Sequence, residues 1–199
     1  MKKVIHYVLI LDQSGSMYRL KDEVISSFNE QVEMIYKLKK NEPEVDLKVT
    51  LCIFNDTVNF KFVNCDIDQL TKLTAADYQP GSFTALYDAM GISFMKINEI
   101  VRPNDSVFFA IFTDGLENAS ENYTANDIKH KLKEADKNEW TVRFFLRYED
   151  SIFYKRNLDL SESKIFNISL NKSGLSEINN EIAYCMESIM KFDKNVENE

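Results

Sequence analysis

The stretch VLILDQSGSMYRL, Val8 to Leu20, carries an apolar run that stops abruptly at an aspartate, with two serines and a glycine in the next four positions. The run begins at Val4 and is unbroken to Leu11 apart from His6 and Tyr7. A strand with one wet face would alternate apolar and polar residues, whereas a near-continuous run suits a central strand covered on both faces. Its end delivers Asp12, Ser14 and Ser16, all oxygen-bearing. A plain turn uses such residues, and so does a site for a hard cation. The rest of the chain has to decide between them.

Outward from this strand, Val24, Phe28, Val32, Ile35 and Leu38 recur at helical spacing and predict a helix over Leu20–Lys40, ended by Asn41-Glu42-Pro43. Asp46–Phe54 reads as a second strand. Asn55–Val63, NDTVNFKFV, reads as its antiparallel partner at the sheet edge after an Asn-Asp turn. Asn64–Phe83 is a long connection with weak helical character around Asp68–Leu73, and connections of this length are often functional. A helix is predicted over Thr84–Ile100, with Leu86, Ala89, Met90, Phe94 and Ile97 on one face. Asp105–Thr113 is a further buried-looking strand, and it too ends on an aspartate, Asp114. An amphipathic helix follows over Thr124–Lys137, capped by Thr124 with Asp127 three residues on. Trp140–Leu146 is the next strand, Arg147–Leu160 is irregular or briefly helical, and Lys164–Ile168 is a last short strand. Leu175–Phe192 closes the chain as a helix facing the core with Ile178, Ile182, Met186 and Ile189. Strands alternate with helices, without repeat or linker. The expectation is a single domain over residues 1–192 with a disordered polar tail at 193–199. Its class is α/β: a doubly wound, mostly parallel open sheet of about six strands, with one antiparallel edge strand and helices on both faces.

Composition narrows the function. The 199 residues carry 44% hydrophobic side chains and a net charge of −8. Nucleic-acid binding needs a basic surface to replace phosphate counterions, and the short cluster Lys37, Lys39, Lys40 merely complements the end of a helix. Three widely spaced cysteines, Cys52, Cys65 and Cys185, form no zinc pattern. Their odd number, with no secretion signal, points to reduced thiols in a cytoplasm. The opening MKKVIHYVLIL imitates a signal peptide but runs into Asp12 without a small-residue cleavage site. No segment approaches the ~20 apolar residues that cross a membrane. His6 and His130 stand without companion ligands and read as structural.

The candidate constellation is Asp12, Ser14, Ser16, Thr84 and Asp114. All five offer oxygen, which suits Mg²⁺, with Mn²⁺ or Ca²⁺ as alternatives. The two aspartates end predicted central strands, where open α/β sheets bind ligands. Gly15 lets the first loop fold back closely enough for both serines to point inward. Each residue also has a bland use: the serines can bond turn backbone, Thr84 can cap a helix, Asp88 suits the first-turn dipole, and Glu117 and Asn118 suit a solvated loop.

DQSGSM (Asp12–Met17) resembles the DxSxS motif of von Willebrand factor type A domains. GSFTALYDAM (Gly81–Met90) resembles the segment carrying that family's threonine ligand, and FTDGLENAS (Phe112–Ser120) its second aspartate loop. The three occur in the family's order, and the resemblance spans about Val4 to Leu146. Arg147–Leu160 does not follow by motif, and residues 147–163 gain no role from it. The resemblance implies a metal-ion-dependent adhesion site. Ser14, Ser16 and Thr84 would be its hydroxyl ligands, and Asp12 and Asp114 would bind directly or through water. It also implies a function: a non-enzymatic protein-interaction module whose Mg²⁺ takes an Asp or Glu carboxylate from a partner protein. Stand-alone domains of this kind resemble intracellular bacterial or phage proteins, some linked to stress or tellurium resistance.

The competing reading is a Mg²⁺-dependent phosphatase of the haloacid-dehalogenase type, which also starts with a strand ending in aspartate. That chemistry wants a second carboxylate two residues later as acid–base, and here that position is Ser14. Neither a receiver domain's paired acids and late lysine nor a Walker loop is present.

Overall fold

β1 (Lys3–Asp12) lies inside a six-stranded sheet in the computed structural model, which describes residues 2–169 and 171–191. The other strands are β2 (Val45–Phe54), β3 (Val58–Asp66), β4 (Ser106–Phe112), β5 (Thr141–Leu146) and β6 (Ile165–Asn167). Their spatial order is β3-β2-β1-β4-β5-β6. Only β3 runs antiparallel, against β2 at one edge. The helices are α1 (Lys21–Asn41), α2 (Leu86–Asn98), α3 (Ala125–Lys137), α4 (Tyr148–Leu158) and α5 (Lys172–Lys191).

The unbroken apolar run of β1 serves two separate cores. Ile5, Tyr7, Leu9 and Leu11 pack with Val24, Phe28 and Ile35 of α1 and Ile178, Ile182 and Met186 of α5. Val8 and Ile10 pack on the other face, with Leu86, Met90 and Phe94 of α2, Ile128 and Leu132 of α3, and Tyr154 of α4. β4 divides the same way, Phe108 and Phe112 to one side and Phe109 and Ile111 to the other. Because successive strand side chains point to opposite faces, only a run without polar breaks can feed both layers.

The expected class is therefore observed: a doubly wound, mostly parallel sheet with one antiparallel edge strand and helices on both faces. From β1 the chain builds β2 and β3 on one side, then crosses through α2 to place β4 on the other. The order thus reverses at β1/β4, where Leu11 pairs with Phe112. Thr124 does cap α3, in a reciprocal capping box with Asp127. Of the two readings of Arg147–Leu160 the helical one holds, as the 11-residue α4. Other expectations need correction. The connection from Asn64 is shorter than expected, because β3 runs on to Asp66 and the only local helix is a 3₁₀ turn at Ile67–Gln69. α2 begins at Leu86, two residues after Thr84. α5 begins at Lys172, earlier than Leu175. Phe192 and the tail at 193–199 lie outside the described residues.

One packing detail of α2 gives a direct test. A Cβ on Gly91 would come within 2.4 Å of the Tyr123 ring carbons. Alanine is the better helix former by about 1 kcal/mol, but here the ring has to move, and overpacking costs about 1–3 kcal/mol before that gain is counted. We expect Gly91→Ala to lower stability to urea by about 1 kcal/mol net. A stabilised variant would show that the ring is not fixed on α2.

Candidate metal centre

At the β1/β4 reversal the carboxyl ends of the strands come together, the place where open α/β sheets bind ligands. Asp12 is the last residue of β1, and Asp114 stands two residues beyond β4. Ser14 caps the 3₁₀ turn Gly15–Leu20 that carries Ser16. The Ser14 and Ser16 Oγ atoms are 3.1 Å apart, and Ser16 Oγ donates to Asp114 Oδ1 at 2.5 Å. Asp12 Oδ1 accepts from the Ser14 N–H at 2.6 Å. Thr84 Oγ1 makes no hydrogen bond to another described residue, although Thr84 is only 4% exposed. A Cβ on Gly115 would stand 3.5 Å from Thr84 Oγ1 and 3.7 Å from Ser16 Oγ, so the bare Gly115 backbone faces both hydroxyls. All five sequence-designated residues therefore come from three loops to one place.

A surrounding set of residues, not designated from sequence, holds these loops. Thr113, fully buried, donates its hydroxyl to Asp12 Oδ2 at 2.5 Å. Tyr78, also fully buried, donates to the Asp12 carbonyl at 2.6 Å. The Gly15 N–H reaches the Ser82 carbonyl at 3.1 Å, and Gly81 N–H the Gln13 carbonyl at 2.9 Å. Ser82 adopts a left-handed φ of 67°, a conformation that L-residues other than asparagine and aspartate seldom take. Gly15 itself has no positive φ; its use is the close approach to Ser82.

Two bland uses weighed above do not hold. Thr84 is not the cap of α2: Ala85 occupies that position and no side chain caps it. Asn118 is no free loop residue, since its Oδ1 accepts from Thr84 N at 2.9 Å while its own N–H donates to the Thr84 carbonyl at 3.0 Å. Glu117 accepts from the N–H groups of Tyr87, Ala119 and Ser120 and from the Ser120 hydroxyl. Asp88 does stand in the first turn of α2, as weighed above, but its carboxylate also reaches beyond its own helix. It accepts from Glu121 N, Asn122 N, Asn122 Nδ2 and Tyr123 N, and so anchors the loop before α3. Tyr154 of α4 accepts from Glu117 N at 2.8 Å and donates to the Gly115 carbonyl at 2.9 Å. His6 is structural as expected, held between Asn64 and Asp105.

The electrostatics of the site favour a cation. Burial pushes the Asp12 carboxyl up to about 6, against the hydrogen bonds from Thr113 and Ser14 and with a small further push from Asp114. Burial raises Asp114 as well, opposed by the Ser16 hydroxyl and the Arg147 guanidinium. Asp88 is the contrast: burial works to raise it, but the backbone N–H groups of residues 121–123 and Asn122 Nδ2 together hold it below the ordinary value. The carboxylates of Asp12 and Asp114 are thus desolvated without full compensation, the situation that a divalent ion relieves. Among the described residues no group of three His, Cys, Asp or Glu side chains is placed to hold a metal. The donors here are of another kind, two carboxylates with three hydroxyls, and oxygen-only sets fit hard cations.

Neither family models nor curated proteins match the sequence. Solved structures do match the fold. The vWF domain of the type V pili tip protein Mfa5 from Porphyromonas gingivalis aligns with TM-score 0.70 at 12% identity, over 96% of this chain and 97% of that one. A von Willebrand factor type A protein from Catenulispora acidiphila aligns with TM-score 0.62 at 13% identity, over 91% of this chain and 42% of its own. Proximal thread matrix protein 1 from the mussel byssus, in a form with a zinc-occupied MIDAS motif, aligns with TM-score 0.59 at 14% identity, over 91% and 45%. The chain thus spans less than half of the latter two. At these identities the likeness shows the fold, which is of the von Willebrand factor type A, Rossmann-like α/β kind.

Proposed function

We propose that the chain is a metal-dependent protein-interaction module. Asp12, Ser14, Ser16, Thr84 and Asp114 would hold a Mg²⁺, which leaves a position for an Asp or Glu carboxylate of a partner protein. The observation that carries this reading is the convergence of three hydroxyls and two desolvated carboxylates at the sheet reversal, with Thr84 Oγ1 aimed there and bonded to nothing else described. Two carboxylates balance a divalent charge and hydroxyls add none, so the ion keeps electrophilicity for one outside anion. The zinc-occupied motif of the mussel protein supports the ion, and the pili tip protein supports a binding role.

We read the chain as a binder and not a phosphatase. Phosphatase chemistry wants an acid–base carboxylate two residues after the first aspartate, and that position is Ser14, whose hydroxyl lies 3.1 Å from the Ser16 hydroxyl. No described helix is long and apolar enough to cross a membrane. Cys52, Cys65 and Cys185 are free thiols, which supports a reducing compartment such as the cytoplasm.

The test is a thermal melt of chelator-treated protein with Mg²⁺ or Mn²⁺ restored. An ion at a hundred times its dissociation constant stabilises the native state by about 2.7 kcal/mol, or roughly 5–10 °C for a chain of this size. Thr84→Ala should keep the fold and lose most of that rise, because its hydroxyl has no other described partner. Equal rises in both proteins would remove Thr84 from the site, and no rise at millimolar metal would sink the reading.

A further inference from the structure

Resting on the metal-dependent reading, we propose that the partner presents its carboxylate inside an apolar patch, and that Arg147 grips that carboxylate beside the ion while Tyr18, Phe83, Leu116 and Tyr148 pack around it. Arg147 follows β5, and the β4/β5 register Phe112↔Phe145 carries it alongside Asp114. Its Nε donates to Asp150 Oδ2 at 2.6 Å, and Asp150 is 5% exposed. The guanidinium is thus fixed at its inner edge by a buried carboxylate. Its Nη groups make no hydrogen bond to another described residue, and the side chain is 41% exposed. Tyr154, on the same helix, ties α4 to Gly115 and Glu117, so Arg147 is held in one position relative to the second aspartate loop. An arginine held at one edge with its fork open is a carboxylate receptor.

The surround is apolar. Tyr18, Phe83 and Tyr148 are 71%, 65% and 65% exposed, and Leu116 42%. Tyr18 stands two residues after Ser16, Phe83 immediately before Thr84, Leu116 two residues after Asp114 and Tyr148 immediately after Arg147. Each of the three loops, and the arginine's own segment, therefore carries one large exposed side chain within two residues of a proposed ligand or of Arg147. Exposed aromatics around a charged centre are the composition of an interface core, where they exclude water from the buried pair. The chain's net charge of −8 disfavours an acidic stretch. A single carboxylate among apolar neighbours satisfies both conditions.

The experiment selects a displayed heptapeptide library, with glutamate fixed at the centre and the other positions randomised, on the full chain in millimolar Mg²⁺. The expected winners carry Phe, Tyr, Leu or Met next to the glutamate. They bind Arg147→Gln and Arg147→Lys about tenfold more weakly, while both variants keep the Mg²⁺-induced rise in melting temperature. Phe83→Ser and Tyr148→Ser, exposed and remote from the ion's ligands in role, weaken the same peptides without altering that rise. Should Arg147→Gln fail to fold because Asp150 is left uncompensated, Arg147→Gln/Asp150→Asn and the two serine variants decide. A retained Mg²⁺ response with no winners, with charged flanks, or with winners indifferent to Arg147 and the aromatic positions overturns this proposal alone. An absent Mg²⁺ response in the wild-type chain removes the metal reading and this proposal with it.

Discussion

Replacing Asp12 with asparagine is expected to raise the melting temperature of chelator-treated protein and to abolish its response to Mg²⁺. The two effects have one cause. Asp12 is fully buried, and burial lifts its carboxyl from 3.8 to about 6. That rise corresponds to about 3 kcal/mol held against the charged, metal-free native state at neutral pH. Asparagine keeps an oxygen to accept from Ser14 N and removes the charge, so the metal-free form gains roughly 5–10 °C. The pH dependence carries the same sign. A carboxyl raised in the folded state binds its proton more tightly there than in the unfolded chain. Its stabilising contribution is therefore complete below the unfolded value and is lost as pH rises through about 6. Chelated wild-type protein should gain stability relative to Asp12→Asn as pH is lowered from neutrality toward 4. A variant that melts below wild type in chelator at neutral pH would show that the buried charge is already compensated.

Asp88→Ala should be the most destabilising single change near the site, while leaving metal affinity in the surviving native protein largely intact. The carboxylate accepts four hydrogen bonds, three of them from consecutive backbone N–H groups of residues 121–123. Hydrogen bonds to a charged group contribute about 1.5–3 kcal/mol each, less what solvent returns when the loop opens. We expect a loss of about 3–4 kcal/mol in urea unfolding, with faster amide exchange at Glu121, Asn122 and Tyr123. A loss below about 1 kcal/mol would show that this loop is held by other means.

The strands and the oxygen donors were legible because each is announced locally. The β1 run of apolar residues has no other economical use than a doubly covered strand, and Asp12, Ser14 and Ser16 follow it within five positions. The supporting shell was not legible. Tyr78 reaches Asp12 across 66 residues and Tyr154 reaches Gly115 across 39, and neither tyrosine differs in sequence context from a core residue. The anchoring done by Asp88, and the reach of Glu117 to Tyr87, are hidden because the partners are backbone N–H groups 30 or more residues away that carry no side-chain signature. The helical character of Arg147–Leu160 was only half legible for a related reason. The buried face of α4 is Asp150, Ser151, Tyr154 and Leu158, two of them polar, so no apolar period marks it.

The Tyr154 clamp has a consequence for protein design. The loops that carry the proposed ligands are short enough to be copied onto another doubly wound sheet, and their sequences would travel easily. The hold on the second aspartate loop would not, because Gly115 and Glu117 are tied by a phenol on a helix that begins beyond Asp114. A transplant of residues 12–16, 81–84 and 112–118 should therefore yield a loose and weak ion trap. Including α4 with its tyrosine should tighten it, which makes that helix part of the smallest portable unit.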